Sequence, residues 1–339
     1  MVKTGLVGLG KMGISHCAIL NAHPVVDLVG VCDSSKFILA ALAKHGKMNC
    51  FTDYKQMIRQ SDLDCIFVAA PTRFHADMVC YSLEKGLHVF VEKPFCLNSN
   101  EGKKMIDLAL MHNKVNQVGY HNRFIGTFNE AKRIIARGVI GDIYHVLGEA
   151  FGPVVLKEKG STWRSHKSEG GGCLYDYASH VINLIQFIVG TPNQVAGTVL
   201  KNIYSQDVDD AVYATLFYNN GLSGQLSVNW SDESYRKMST QITVMGKKGK
   251  VVVDATECKI YLRQENKIEG LEKGWNIRYI TDLTKSVDFY LRGEEYSAQI
   301  DHFIDCVLKG KTENVSSFES AFETDRVVEM LVADAYSRK

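Results

Sequence analysis

The stretch Gly8-Leu9-Gly10-Lys11-Met12-Gly13 stands between the apolar run Leu6–Gly8 and HCAILNA, a segment whose apolar residues recur three and four apart. Strand, glycine turn and helix in that order make a dinucleotide-binding unit. Gly8 permits the tight turn. Gly10 lets the backbone approach a pyrophosphate, and Gly13 lets the helix pack closely on the strand. Lys11 and Met12 belong to the first helical turn, whose free N–H groups favour anions. Asp33 ends the next apolar run, LVGVCD. A carboxylate there accepts from ribose hydroxyls and repels a 2′-phosphate, which favours NAD. Ser34 and Lys36 soften that preference and keep NADP open.

Outward from this turn the pattern repeats. Leu28–Asp33, Cys65–Ala70, His88–Glu92 and Val115–Tyr120 read as further buried strands. FILAALAKH, ADMVCYSLEKG and GKKMIDLALMHN read as helices between them. The prediction for residues 1–121 is an α/β Rossmann domain with a parallel, doubly wound sheet. After Tyr120 two helical segments, FNEAKRIIARG and LYDYASHVINLIQFIV, precede a succession of strands. These are VAGTVLKNIY, DAVYATLFY, LSGQLSVNW, STQITVMG, KVVVDA and KIYLRQ, with turn signals such as Asn219-Asn220-Gly221. Two more helical stretches close the chain. Residues 122–339 are therefore predicted as an α+β domain with a mostly antiparallel sheet.

Composition narrows the function classes. The formal charge is +1 over 339 residues, so bulk attraction to nucleic acid or anionic membrane is not expected. The basic run Lys247-Lys248-Gly249-Lys250 suits a solvated hairpin turn. The nine cysteines are odd in number, scattered, and form no CxxC pair. They fit reduced thiols in a cytoplasmic protein better than a disulfide framework or a zinc site. The first strand begins at once, which leaves no room for a signal peptide. No apolar run approaches the roughly 20 residues that span a bilayer.

Three further motifs carry chemistry. Glu92-Lys93-Pro94 follows a strand at the edge where ligands of open α/β sheets bind. A lysine there stabilises negative charge developing on oxygen, although a surface lysine fits the position too. Ala70-Pro71-Thr72 with His75 ends another strand on the same edge. Thr72 suits a hydrogen bond to the cofactor, and His75 suits either function or packing. Finally, Asp176 and His180 in GGGCLYDYASH share a helix face at i and i+4. That spacing serves an acid that orients an imidazole, and equally a solvated pair. The imidazole, with an ordinary pKa near ~6.5, suits proton transfer at neutral pH. Gly170-Gly171-Gly172 tilts the choice towards close approach to a ligand.

The ordered set VGLGKMG with His16, Cys32-Asp33, PTRFH, LEKGLHVFVEKP and GGGCLYDYASH resembles the Gfo/Idh/MocA family of NAD(P)-dependent oxidoreductases. The resemblance covers nearly the whole chain. It implies that Lys93 lies by nicotinamide and substrate, and that His180 is the acid/base for a substrate hydroxyl. It implies that Trp163-Arg164 lie near the cofactor, and that Asn122-Arg123 and Tyr296 line the same cleft. Assembly as a homodimer or homotetramer through a large open C-terminal sheet also follows from it. Two positions depart from the family pattern. Ala178 stands where DxGxH has glycine, and Asn183 stands where an acid often follows the histidine.

The expected activity is hydride transfer between nicotinamide and a carbinol or carbonyl carbon of a sugar or polyol. Arg164, Arg123, Lys157 and Lys159 suit an anionic group, so a nucleotide-linked sugar is open as substrate. Two alternatives stand beside this reading: a non-enzymatic NAD- and sugar-binding regulator, and a reductase of a non-sugar carbonyl compound.

Overall fold

A computed structural model describes residues 1–45, 48–157 and 163–337, without the side chains of His45 and Trp163. The chain divides into two compact units. One comprises residues 1–121 with 286–322, the other residues 122–285 with 323–339.

In the first unit, strands and helices alternate. They run β1 (Val2–Val7), α1 (Lys11–Ala22), β2 (Val26–Cys32), α2 (Lys36–His45), β3 (Asn49–Phe51) and α3 (Tyr54–Gln60). Then follow β4 (Cys65–Val68), α4 (His75–Glu84), β5 (His88–Val91), α5 (Ser99–Met111) and β6 (Asn116–Val118). The six strands are all parallel, in the order β3-β2-β1-β4-β5-β6. The order reverses between β1 and β4, the switch point at which such sheets bind ligands. Every residue of β4 is buried, because helices cover both faces, and this is why CIFV reads as an unbroken apolar run.

Two elements escape the sequence pattern. β3 is a three-residue edge strand, and α3 is a seven-residue helix whose start is fixed by Asp53 accepting from the Lys55 N–H at 2.9 Å.

The segment 286–322 packs into this unit although it follows the second unit's strands in sequence. Polar groups on β6 explain why. Asn116 and Gln117 are buried and need partners. The Phe318 N–H donates to Asn116 Oδ1 at 2.7 Å, and Gln117 Nε2 donates to the Gln299 carbonyl at 2.8 Å. Phe303, from the helix Glu294–Lys309, completes an aromatic cluster with Phe67 and Phe90.

The second unit holds α6 (Gly126–Ala136), β7 (Ile143–Phe151), a wide π-type turn Leu174–Ala178 and α7 (Ser179–Val189). It continues with β8 (Gln194–Lys201), β9 (Ala211–Phe217), β10 (Ser223–Asn229), β11 (Ser239–Gly246) and β12 (Gly249–Val253). β13 (Glu257–Leu262), β14 (Gly274–Tyr279) and the short α8 (Ile280–Leu283) follow. The helix of the first unit noted above is α9, and α10 (Phe318–Tyr336) ends the chain, its residues from Glu323 belonging to the second unit.

Eight strands form one sheet, in the order β14-β13-β12-β11-β7-β10-β9-β8. All neighbours are antiparallel except β7 and β10. Lys247-Lys248 make the β11–β12 hairpin turn, with Gly246 paired to Gly249. The sequence pattern misses β7 and β14, yet β7 is central. Its Val146, Gly148 and Ala150 face the core. A Cβ on Gly148 would lie 2.5 Å from Val181 and 2.6 Å from Ile185. That glycine lets α7 lie directly on the sheet, so the helix bearing His180 is anchored at mid-sheet. The opposite sheet face exposes Tyr213, Phe217, Tyr261, Trp275, Ile277 and Tyr279.

Candidate active site

In the first unit the three motif glycines do different work. Gly8 has φ +90, and a Cβ there would meet the Ala69 carbonyl oxygen at 2.6 Å. A Cβ on Gly13 would fall 1.8 Å from the Gly8 carbonyl oxygen. Both are required by the protein's own packing. Gly10 is not: a Cβ there meets no protein atom within 4 Å. Gly10 is also the N-cap of α1, with no side-chain cap. Its bare backbone leaves open space beside the N–H groups of Lys11, Met12 and Gly13, which favour an anion. This cradle fits the pyrophosphate of NAD.

Asp33 sits at the end of β2. Its Oδ2 accepts from the Leu9 N–H at 2.6 Å and its Oδ1 from the Ser35 N–H at 2.7 Å. The carboxylate therefore braces the glycine turn. Each oxygen keeps a further lone pair for a ribose hydroxyl.

At the end of β4, Thr72 is buried in a short 3-10 turn, Pro71 is exposed and Ala70 is half-buried. His75 is buried between two carbonyls, with Nε2 2.9 Å from Ala70 and Nδ1 3.3 Å from Phe95. Burial pushes its imidazole down, so the ring is neutral at pH 7. It ties the loop after β4 to the loop after β5.

Lys93 follows β5 and makes a cis peptide with Pro94. Beside it Glu92 is buried, and His16 of α1 approaches Glu92 Oε1 at 2.6 Å. Glu92 Oε2 accepts the Lys93 N–H at 3.2 Å. Burial drives the Glu92 carboxyl up, but the hydrogen bond and charge of His16, joined by Lys93, carry it below its ordinary value. One buried carboxylate thus connects the glycine-turn helix to the backbone of Lys93. Gly119 presses on the same carboxylate: a Cβ there would lie 2.9 Å from Oε1.

His121 and Arg292 were not singled out by the sequence. Tyr296 stacks on His121, with ring centroids 4.5 Å apart and the hydroxyl 3.4 Å from Nε2. The Arg292 guanidinium lies over the Tyr296 ring at 5.3 Å. Burial pushes the His121 imidazole down to about 4; Glu92 opposes the shift, while Lys93 and Arg292 add to it. Burial likewise pushes the Tyr296 hydroxyl up to about 12. Both are neutral at pH 7. Position 121 carries no motif spacing, so only the fold shows its company.

In the second unit, Arg164 Nε donates to Asp176 Oδ2 at 2.9 Å. Asp176 is nearly buried and Arg164 is about two-fifths exposed, so the pair presents the arginine to solvent. The turn bearing Asp176 is π-type, and the Ser179 N–H reaches back five residues to the Leu174 carbonyl. Asp176 lies inside this wider turn, and His180 follows it within the next turn of the helix. His180 begins the regular helix and is buried. Ala178, where the family has glycine, is buried inside the π turn.

Asn122 and Arg123 are buried as well. Arg123 Nε donates to Asn183 Oδ1 at 2.6 Å, and Asn183 Nδ2 donates to Thr324 at 2.9 Å. Asn183 thus holds the Arg123 guanidinium in place. Lys157 is exposed. The Trp163 backbone opens a 3-10 turn, while its side chain and Lys159 lie outside the described residues.

All nine cysteines are free thiols, and burial drives those of Cys32, Cys65 and Cys258 up to about 12. Among the described residues, no helix is long and apolar enough to cross a membrane.

Comparison with known proteins places the chain in a family. Residues 2–120 match the family model described as oxidoreductase family, NAD-binding Rossmann fold. Residues 128–252 match the GFO/IDH/MocA C-terminal domain. Similar proteins include scyllo-inositol 2-dehydrogenase (NAD(+)) of Bacillus subtilis strain 168. It is 24% identical over 331 residues, covering 96% of this chain and 91% of that one. D-glucoside 3-dehydrogenase of Escherichia coli K12 is 25% identical over 260 residues, covering 70% and 74%. Among solved structures, a levoglucosan dehydrogenase in complex with NADH superposes with TM-score 0.89 at 22% identity. It covers 100% of this chain and 98% of that one, a likeness of fold. With a glycine cradle that fits NAD at the head of a 3-2-1-4-5-6 parallel sheet and both family domains matched in order, the chain belongs to the Gfo/Idh/MocA family of NAD-binding oxidoreductases.

Proposed function

We propose that this protein is an NAD-dependent dehydrogenase of a sugar or polyol, with His180 as the acid/base and Lys93 as the group that stabilises the alkoxide. The observation that carries the reading is the division among the three glycines. Two are demanded by packing, and the third, at the N-terminus of α1, leaves open space beside the free N–H groups that favour an anion. NAD, when bound, supplies the hydride acceptor. The residues that hold it are Gly8 to Gly13 at the pyrophosphate and Asp33 at the ribose, with Ala70, Pro71, Thr72 and Glu92 near them. Asn122, Trp163 and Arg164 are the second unit's own candidates for cofactor contact, and His75 acts by fixing the Ala70 loop.

During oxidation the substrate hydroxyl gives its proton to the His180 imidazole. The lysine ammonium of Lys93 favours the negative charge that develops on that oxygen. Asp176, whose carboxylate accepts from Arg164, orients the His180 imidazole. Arg123, Arg164 and Tyr296 are the remaining substrate-side groups. A preference for NAD over NADP rests on Asp33. Assembly as a homodimer or homotetramer through the second unit's sheet is supported by the exposed aromatic face described above.

Substrate class follows from one experiment. The protein is given NAD and a panel of inositols, free hexoses, glucosides and nucleotide-linked sugars, and NADH absorbance is followed. Turnover of inositols, hexoses or glucosides is expected. Turnover confined to nucleotide-linked sugars would narrow the substrate to that class, and no turnover of any of them by protein that binds NAD would overturn the proposal.

A further inference from the structure

We infer that Asp209 is a positioning residue for the reaction, its carboxylate clamping the start of the helical segment that bears Asp176 and His180. The inference rests on the reading of His180 as the acid/base.

Asp209 touches this segment at three consecutive residues. Its Oδ2 accepts the Leu174 N–H at 2.6 Å, and its backbone carbonyl accepts the Cys173 N–H at 2.8 Å. Gly172 packs against the carboxylate so closely that a Cβ would lie 2.7 Å from Oδ1, and its φ of +105 suits glycine. The clamp therefore sets the conformation of the glycine run and the first N–H of the π turn together. Leu174 is two residues before Asp176 and six before His180.

The other end of the clamp is rigid. Neighbouring Asp210 accepts N–H groups from Ile203, Tyr204 and Ser205, each within 2.8 Å, and the Trp230 indole N–H at 2.7 Å. The dipeptide Asp209-Asp210 thus ties the catalytic segment to the sheet that supports it.

This carboxylate is held at a cost to stability. Burial drives its pKa up to about 6; Asp210 adds to the rise, and the Leu174 N–H and Lys167 oppose it. The groups around it are Lys167 from the loop before the helix, Cys173 and Asp176 from the helix, and Asp207 and Asp210 from its own loop and strand. Tyr336 of α10 lines the same cavity of about 270 Å³ on which Asp209 opens. That cavity gives the segment room to shift when the clamp weakens.

The sign of the linkage follows. A carboxyl whose folded pKa lies above its unfolded one binds its proton more tightly in the fold. Its ionised form therefore weakens the fold, and that penalty builds as pH rises from about 4 through 6. Removing the charge should not weaken the protein at neutral pH, even though it weakens the clamp.

The test uses Asp209→Asn and Asp209→Ala beside wild type and His180→Ala. Expected for Asp209→Asn is a kcat lowered about tenfold at pH 7.5, with unchanged NAD affinity and a melting temperature not below wild type. At pH 5, where wild-type Asp209 is protonated, the two should differ in kcat by less than threefold. Hydrogen exchange at residues 172–180 should be faster in both variants than in wild type at pH 7.5. Wild-type kcat together with wild-type exchange would overturn the inference. So would kcat and melting temperature falling in step, the mark of a merely structural residue. Wild-type turnover by His180→Ala would sink the His180 reading instead, and the exchange result would still decide the clamp.

Discussion

His180→Ala is expected to lower kcat by about 10²–10⁴-fold, the usual worth of a positioned acid/base. The affinity for NAD should stay within about twofold, because the cofactor's cradle lies in the first unit. His180 is buried beside Val181 and Ile182, so truncation also leaves a void. The protein should lose some melting temperature yet remain folded, since α7 keeps its apolar contacts with β7. The discriminating readout is kcat against NAD affinity, measured by single-turnover kinetics and calorimetry. Turnover at the wild-type rate would remove His180 from the mechanism. Loss of NAD binding together with turnover would mean that the substitution acts through folding.

The second large effect separates the glycines. Gly13→Ala places a methyl group 1.8 Å from the Gly8 carbonyl oxygen, which is backbone and cannot rotate away. Either α1 moves off the sheet or the turn rebuilds. Overpacking typically costs about 1–3 kcal/mol, and a backbone clash this close belongs at the upper end; urea unfolding of the protein should show it. Gly10→Ala meets no protein atom, and its φ of −67 and ψ of −171 suit alanine. Stability should be nearly unchanged. NAD affinity should fall tenfold or more, equivalent to about 1.4 kcal/mol. If Gly10→Ala binds NAD as wild type does, the cradle is not where the pyrophosphate sits.

The first unit was legible because its parallel strands are buried on both faces. CIFV and HVFV then read as plain apolar runs, with helical spacing between them. The exceptions are short: β3 has three residues at a sheet edge, where little burial is needed to hold it. In the second unit β7 was hidden because IYHVLGEAF interrupts its alternation with Gly148 on the core face. That glycine is there for the helix above it and contributes no apolar signal.

Long-range polar pairing was equally hidden. The bond from Gln117 to Gln299 spans 182 residues, and no local pattern announces that a late segment will satisfy β6. The candidate site divides in the same way. Gly8, Gly10, Gly13, Asp33 and Lys93 are announced by spacing after strands. The contact between His16 and Glu92, 76 residues apart, is not, nor is the stack of Tyr296 on His121. The π turn at Leu174–Ala178 has no signature in LYDYA, so a regular helix was the natural expectation for the segment that bears Asp176. The partners of the turn are visible only in three dimensions: its start is held by Asp209, and Asp176 pairs with Arg164.

The central claim is that a hydride leaves a carbinol carbon of a sugar or polyol for NAD. It is tested most directly by incubating the protein with NAD and perdeuterated inositols, hexoses and glucosides, then recovering the cofactor for mass spectrometry. The proposed mechanism requires NADH carrying a single deuterium from at least one of these substrates. Cofactor recovered oxidised and unlabelled from every mixture, while still bound by the protein, would contradict it and point to an NAD-binding regulator.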